Sequence, residues 1–152
     1  MLYRGMRLER HVAMDGRIRP IGTQTEVIPL LDGSWSLDGR MTLSLSENNA
    51  ARAHHIQTGK WGGCFVSTSR SRDMAEFFAT NDGAGRRCEG VIYHIDESLF
   101  DEFGVVSKEF DDPLHPSQME VSIRAADGGE IPIQVVVKVE AVRPPSECIQ
   151  EN

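Results

Sequence analysis

No apolar run in this chain approaches the roughly 18–20 residues needed to cross a bilayer, so neither a membrane span nor a membrane partner is expected. The opening Met1-Leu-Tyr-Arg-Gly lacks the basic-then-apolar layout of a secretory leader, and the protein as written is expected in the cytoplasm. Cysteine is scarce: Cys64, Cys88 and Cys148 are odd in number and widely spaced. With no Cys-x-x-Cys pair they offer neither a zinc knuckle nor a disulfide framework. His54 and His55 are adjacent, so on a helix they diverge by about 100° and are poor partners for one metal. No metal is expected. Positive charge is in deficit, with a formal net charge of -7, and a general electrostatic grip on nucleic acid is not expected. Arg4, Arg7, Arg10, Arg17 and Arg19 crowd the first twenty residues, as a local basic patch or as scattered surface arginine. Repeats and low-complexity blocks are lacking too.

What is present describes one domain large enough to own a core: 152 residues, 39% hydrophobic and 26% charged. Leu2 to Met6 reads as a first strand. Residues 15 to 39 carry Asp-Gly turn signals three times, which predicts loops with one short strand around Glu26–Leu31. Ser46 to Ile56 reads as a helix, with Ser46 as N-cap and Gly59 as a stop. Cys64 to Ser67 reads as a strand running into a second helix, Arg72 to Thr80, where Met74, Phe77 and Phe78 make an i, i+3, i+4 apolar face. Asn81 to Gly90 is a polar loop. Gly90 to Ile95 is a strand, followed by a helical turn at Glu97–Phe103. The prolines of Asp111–Pro116 exclude helix and ladder pairing there. Asp127-Gly128-Gly129 is a turn, and Ile133–Val142 gives the strongest strand signal. The whole is an α+β domain with two early helices and a strand-rich second half.

Three stretches could carry chemistry. His115-Pro-Ser-Gln-Met-Glu-Val121 reads as the start of a strand, with Gln118, Glu120 and Ser122 on one face and Met119, Val121 and Ile123 in apolar packing behind. An amide and a carboxylate would then stand side by side on a rigid support. Taken alone, the same residues fit a half-buried strand with a solvated polar face. Ser67-Thr68-Ser69 sits where a strand meets a helix, and Ser69 or Ser71 can equally be a helix N-cap. Arg4 lies on the first strand, as a ligand or as an exposed edge arginine.

In this order the three resemble the arginine–serine–glutamate class of mono-ADP-ribosyltransferases, cholera toxin-like and pierisin-like. The likeness is carried by Leu2-Tyr3-Arg4, by Phe65-Val66-Ser67-Thr68-Ser69 with Ala75 following, and by Val91-Ile92-Tyr93. It continues through His115 to Ser122 and Gly129-Glu130-Ile131-Pro132. Residues 7 to 60 match nothing nameable. The resemblance implies an ADP-ribosyltransferase-like split β-sandwich, two small antiparallel sheets around an NAD cleft with helices mainly N-terminal. Residues 1-143 would form the catalytic domain and 144-152 a frayed tail. NAD would be the substrate, lying against Arg4, Ser67, Thr68, Ser69, Phe78 and Glu120. The spacing of Phe78 with Met74 also fits plain core packing.

Cleaving the bond between nicotinamide and ribose generates an oxocarbenium-like transition state, which a fixed carboxylate stabilises. By the resemblance this is Glu120, held by Ser67, while the donor fork of Arg4 suits the NAD phosphates or adenosine ribose. Relatives that modify arginine usually have glutamate two residues before the catalytic one. Here Gln118 stands there, and an amide is no general base but matches another amide or a nucleobase edge. The acceptor implied is therefore guanine of DNA or RNA, or a protein amide side chain, with Phe100–His115 as the segment that meets it. The setting implied is a toxin, effector or defence protein, delivered by a secretion system or phage, with a cognate immunity or antitoxin protein as partner. An NAD glycohydrolase and a catalytically silent NAD-binding module are the competing readings.

Overall fold

The computed structural model describes residues 1–28, 41 and 45–145. Among them, six strands form one antiparallel sheet in the order β4-β5-β2-β1-β3-β6. The strands are β1 (Leu2–Arg7), β2 (Val66–Ser69), β3 (Gly90–Ile95), β4 (Val105–Lys108), β5 (Glu120–Ala125) and β6 (Val136–Val142). Helices α1 (Leu8–Ala13), α2 (Glu47–Ile56) and α3 (Arg72–Thr80) belong to the N-terminal half, and the short α4 (Phe100–Phe103) follows β3. No described helix is long and apolar enough to cross a membrane.

The two small sheets anticipated from the sequence are the two halves of this one. Strands β1 and β3 pair along six positions, and β2 and β5 along four. Between the halves, β1 meets β2 at the single pair Tyr3↔Ser69. Beyond that rung the ladder opens, and the opening is where the cleft lies.

Alternation along the strands assigns the faces. Val121, Ile123 and Ala125 of β5 are buried, and the first two join Leu2, Met6, Val66, Tyr93 and Ile95 in the main core. The opposite face of β5 carries Glu120, Ser122 and Arg124 toward α2. Helix α2 approaches closely because Ala50, Ala51 and Ala53 are its contact residues, packed with Phe65 and Val27. Its start follows the capping rule, with Ser46 Oγ accepting from the Asn49 N–H. Helix α3 crosses the other half through Ala75 and Ala79, which pack on Ile92, Val142 and Tyr3. It rests on two glycines: a Cβ on Gly5 would lie 1.8 Å from the Ala75 carbonyl oxygen, and one on Gly90 2.1 Å from that of Ala79. Ser71, not Ser69, caps α3.

Several expectations are corrected. Strand β2 begins at Val66 and runs through the serine triplet rather than ending at Ser67. The last segment opens with a 3-10 turn at Ile133–Val135 before β6. Strand β4 and helix α1 were not foreseen. Gln118 does not open a strand: it ends a 3-10 turn (Pro116–Gln118), and Met119 follows in the left-handed region at φ 48°. That reversal breaks the alternation, so Met119 is exposed instead of packed. The short strand around Glu26–Leu31 is a single bridge, Val27↔Ser46, among the described residues; residues 29–31, Cys148 and most of the tail lie outside them.

Candidate active site

Glu120 opens β5 with its side chain 12% exposed. Directly across the ladder from β5, β2 presents Ser67 on the same face, and Ser67 Oγ donates to Glu120 Oε1 at 2.6 Å. Helix α2 closes the group from above. His54 Nε2 lies 3.1 Å from Glu120 Oε1 and 2.8 Å from Ser67 Oγ. A carboxylate only accepts, so this nitrogen carries a hydrogen. The other ring nitrogen, Nδ1, is buried without a protein partner. His55 Nε2 stands 3.6 Å from the other oxygen, Oε2, and 3.2 Å from Ser122 Oγ.

These contacts set the charge of the site. Burial alone would raise the Glu120 carboxyl, but hydrogen bonds from His54 and Ser67 and the nearby histidines outweigh it, and its pKa lies below the ordinary carboxylate value. His55 is lowered as well, which for a base favours the neutral form: burial lowers it, Glu120 partly opposes, and His54, Arg52 and His115 add to the lowering. At neutral pH the site therefore holds an ionised carboxylate beside a neutral His55.

Arg4 comes from β1, across the open part of the seam. Its Nη1 donates to the Ser67 main-chain carbonyl at 2.7 Å, bridging the halves where the ladder has parted. Burial, then the charge of Arg10, lower its pKa to about 10, against Tyr93 and Glu120. The guanidinium is still charged at neutral pH, and its buried Nε has no protein partner.

One cavity of about 340 Å³ gathers every residue the sequence singled out: Arg4, Ser67, Thr68, Ser69, Phe78, Gln118 and Glu120. That volume is within the range of small-molecule pockets. The hydroxyls of the triplet are not equivalent there. Thr68 Oγ1 donates to the Val121 carbonyl at 2.6 Å, and Ser69 Oγ donates to the Gln118 carbonyl at 2.6 Å while accepting from the Ser71 N–H. Phe78 is 44% exposed at the cleft and not part of the core, because α3 turns its alanines inward. The two histidines were missed. Their 100° divergence argues against a shared metal ion, yet a carboxylate has two oxygens, one for each ring. Among the described residues no group of three or more His, Cys, Asp or Glu side chains could hold a metal.

A parted antiparallel sheet with arginine, serine and glutamate converging at the parting defines an ADP-ribosyltransferase-like architecture. The chain belongs to the NarE family, a cholera-toxin-like ADP-ribosyltransferase family whose model matches residues 1–123. That span contains Arg4, Ser67, Gln118 and Glu120. A solved chain of a heat-labile enterotoxin double mutant is similar at 22% identity, over 94% of this chain and 57% of that one, with a TM-score of 0.48. The chain thus spans less than two thirds of that enterotoxin chain. No curated protein matches it.

Proposed function

We propose that the protein cleaves NAD at the nicotinamide–ribose bond and transfers the ADP-ribose to a macromolecular acceptor other than an arginine side chain. The observation that carries this reading is the Glu120 carboxylate, kept ionised in the cleft by Ser67 and His54. As the C1′–N bond breaks, positive charge grows on the ribose and nicotinamide departs with the bonding electrons. A carboxylate whose Oε1 is fixed by two donors is preorganised for that charge. It needs no reorganisation at the moment of reaction. The residues present fit NAD: Arg4 offers a buried Nε–H without a protein partner to an anionic or ribose oxygen, and Phe78 offers an aromatic face.

The acceptor then attacks C1′ and loses its proton. At Gln118, where a carboxylate would orient a guanidinium, the amide donates and accepts, which supports an amide side chain or a guanine edge as acceptor. A toxin, effector or defence role with a cognate immunity partner is consistent with the family.

The test is incubation of the protein and its Glu120→Ala variant with labelled NAD and a whole-cell extract. Nuclease-sensitive label that is absent with the variant supports a nucleic-acid acceptor, and protease-sensitive label an amide-bearing protein. Nicotinamide release with no bound label favours the glycohydrolase. No release with the native protein refutes the enzyme reading and leaves the silent module. For Glu120→Gln, kcat is expected to fall by about 10²–10³ or more while NAD still binds.

A further inference from the structure

The segment from Glu109 to Gln118 joins β4 to β5 and delivers Gln118 to the cleft. Both of its ends are tied to the close of β2, the far end through Ser69 and Arg70 and the near end through Arg70. At the far end, Ser69 Oγ donates to the Gln118 carbonyl at 2.6 Å and the Arg70 N–H donates to the Met119 carbonyl at 3.1 Å. At the near end, the Arg70 guanidinium makes a fork to Glu109, Nε to Oε1 at 2.9 Å and Nη2 to Oε2 at 2.8 Å. The same guanidinium reaches Glu97 through Nη1 and Nη2, both at 3.2 Å. The middle of the segment is tied to α2: Arg52 Nη2 donates to Asp112 Oδ1 at 2.7 Å, and its guanidinium lies 3.6 Å over the Phe110 ring. Phe110 in turn meets the His55 ring edge-on at 5.2 Å.

We infer that Arg70 is a positioning residue for the acceptor: its fork to Glu109 closes the Glu109–Gln118 segment into a fixed loop and so sets where the Gln118 amide stands relative to Glu120. This rests on the function proposed above. Arg70 does not line the cleft and touches neither Glu120 nor Arg4, so cleavage of NAD does not depend on its charge. Transfer to an acceptor does. A bidentate arginine–carboxylate pair fixes direction as well as distance, which a lysine would not reproduce. The left-handed Met119 joins this loop to β5, so the course of the loop decides how Gln118 meets the cleft.

The measurement is the ratio of ADP-ribose transferred to an extract acceptor to ADP-ribose released free, for the native protein, Arg70→Lys, Glu109→Gln and the exchanged pair Arg70→Glu with Glu109→Arg. The expected result is a ratio lowered about tenfold in the two single variants, with NAD cleavage within about twofold of native and the KM for NAD unchanged. Partial recovery of the ratio is expected in the exchanged pair, even though Glu97 then faces a like charge. A role in folding alone would lower both activities together and leave the ratio fixed, and that outcome overturns the inference. A ratio equal to native in all three variants overturns it too, as does a native protein that releases ADP-ribose and transfers none. A native protein that releases no nicotinamide would instead remove the reading on which it rests.

Discussion

At the scale of single residues, Glu120 is a carboxylate with its two oxygens in different company. Oε1 receives the donors Ser67 and His54, while Oε2 faces His55 at a longer distance. Removing a donor from the charged form raises a carboxyl pKa. Ser67→Ala is therefore expected to move the acid limb of the kcat/KM profile to higher pH, toward or beyond the ordinary glutamate value of about 4.3. A pH–rate profile of both proteins checks this, and an unmoved limb would mean that Ser67 does not hold the reacting carboxylate. Gln118 makes the second residue-scale prediction. Gln118→Glu restores a carboxylate two residues before Glu120, and we expect the variant to label a free guanidinium compound that the native protein leaves unmodified. Assay of labelled agmatine reads it directly. The serine triplet and the glutamate could be read from their order in the chain. The histidines could not, because adjacent side chains on a helix say nothing about a two-pronged partner that arrives 65 residues later.

Among elements, α3 shows how a cleft wall is built from residues of no chemistry. An apolar i, i+3, i+4 pattern of Met74, Phe77 and Phe78 reads as a buried face, but the helix is brought so near the sheet by Gly5 and Gly90 that only alanines fit beneath it. The aromatic residues are displaced to the flank, and Phe78 comes to line the cleft. Helix periodicity is legible in a sequence; which stripe of it a sheet can accept depends on the partner's side-chain volume. Gly5→Ala would set a Cβ against backbone with no flexible atom to yield. We expect a loss at or above the upper end of about 1–3 kcal/mol, with a clear fall in Tm. Gly83→Ala, where a Cβ meets nothing within 4 Å, is the matched control and should be near neutral. The strand at β3, the helices at α2 and α3 and the turn at Gly128 were readable from local pattern. The break before β5 was not, since the contacts at the left-handed Met119 come from far back in the chain, the Arg70 N–H to its carbonyl and Ser69 Oγ to that of Gln118.

For the molecule as a whole, two buried titratable groups couple folding to acidity. His55 has its folded pKa depressed, so the unfolded chain binds more protons below the unfolded value of about 6.5. Its contribution is fully present above that pH and is lost as pH falls through the folded value. Glu120, also depressed, has the same sign in a lower window, below about 4.3. Thermal melts from pH 7 to pH 5 should show a declining Tm, and the decline should be shallower in His55→Gln; equal slopes would exclude His55 as its source. The sheet order was beyond the sequence because most pairing partners come from distant segments, and the strands of the two halves interleave along the chain. That interleaving has a consequence for how the protein comes into being. In synthesis Arg4 precedes Ser67, and Glu120 follows both. Until β5 is made, the nascent chain has the arginine and the serine but no carboxylate to set between them. A chain that ends before β5 thus lacks the one carboxylate on which the proposed reaction rests.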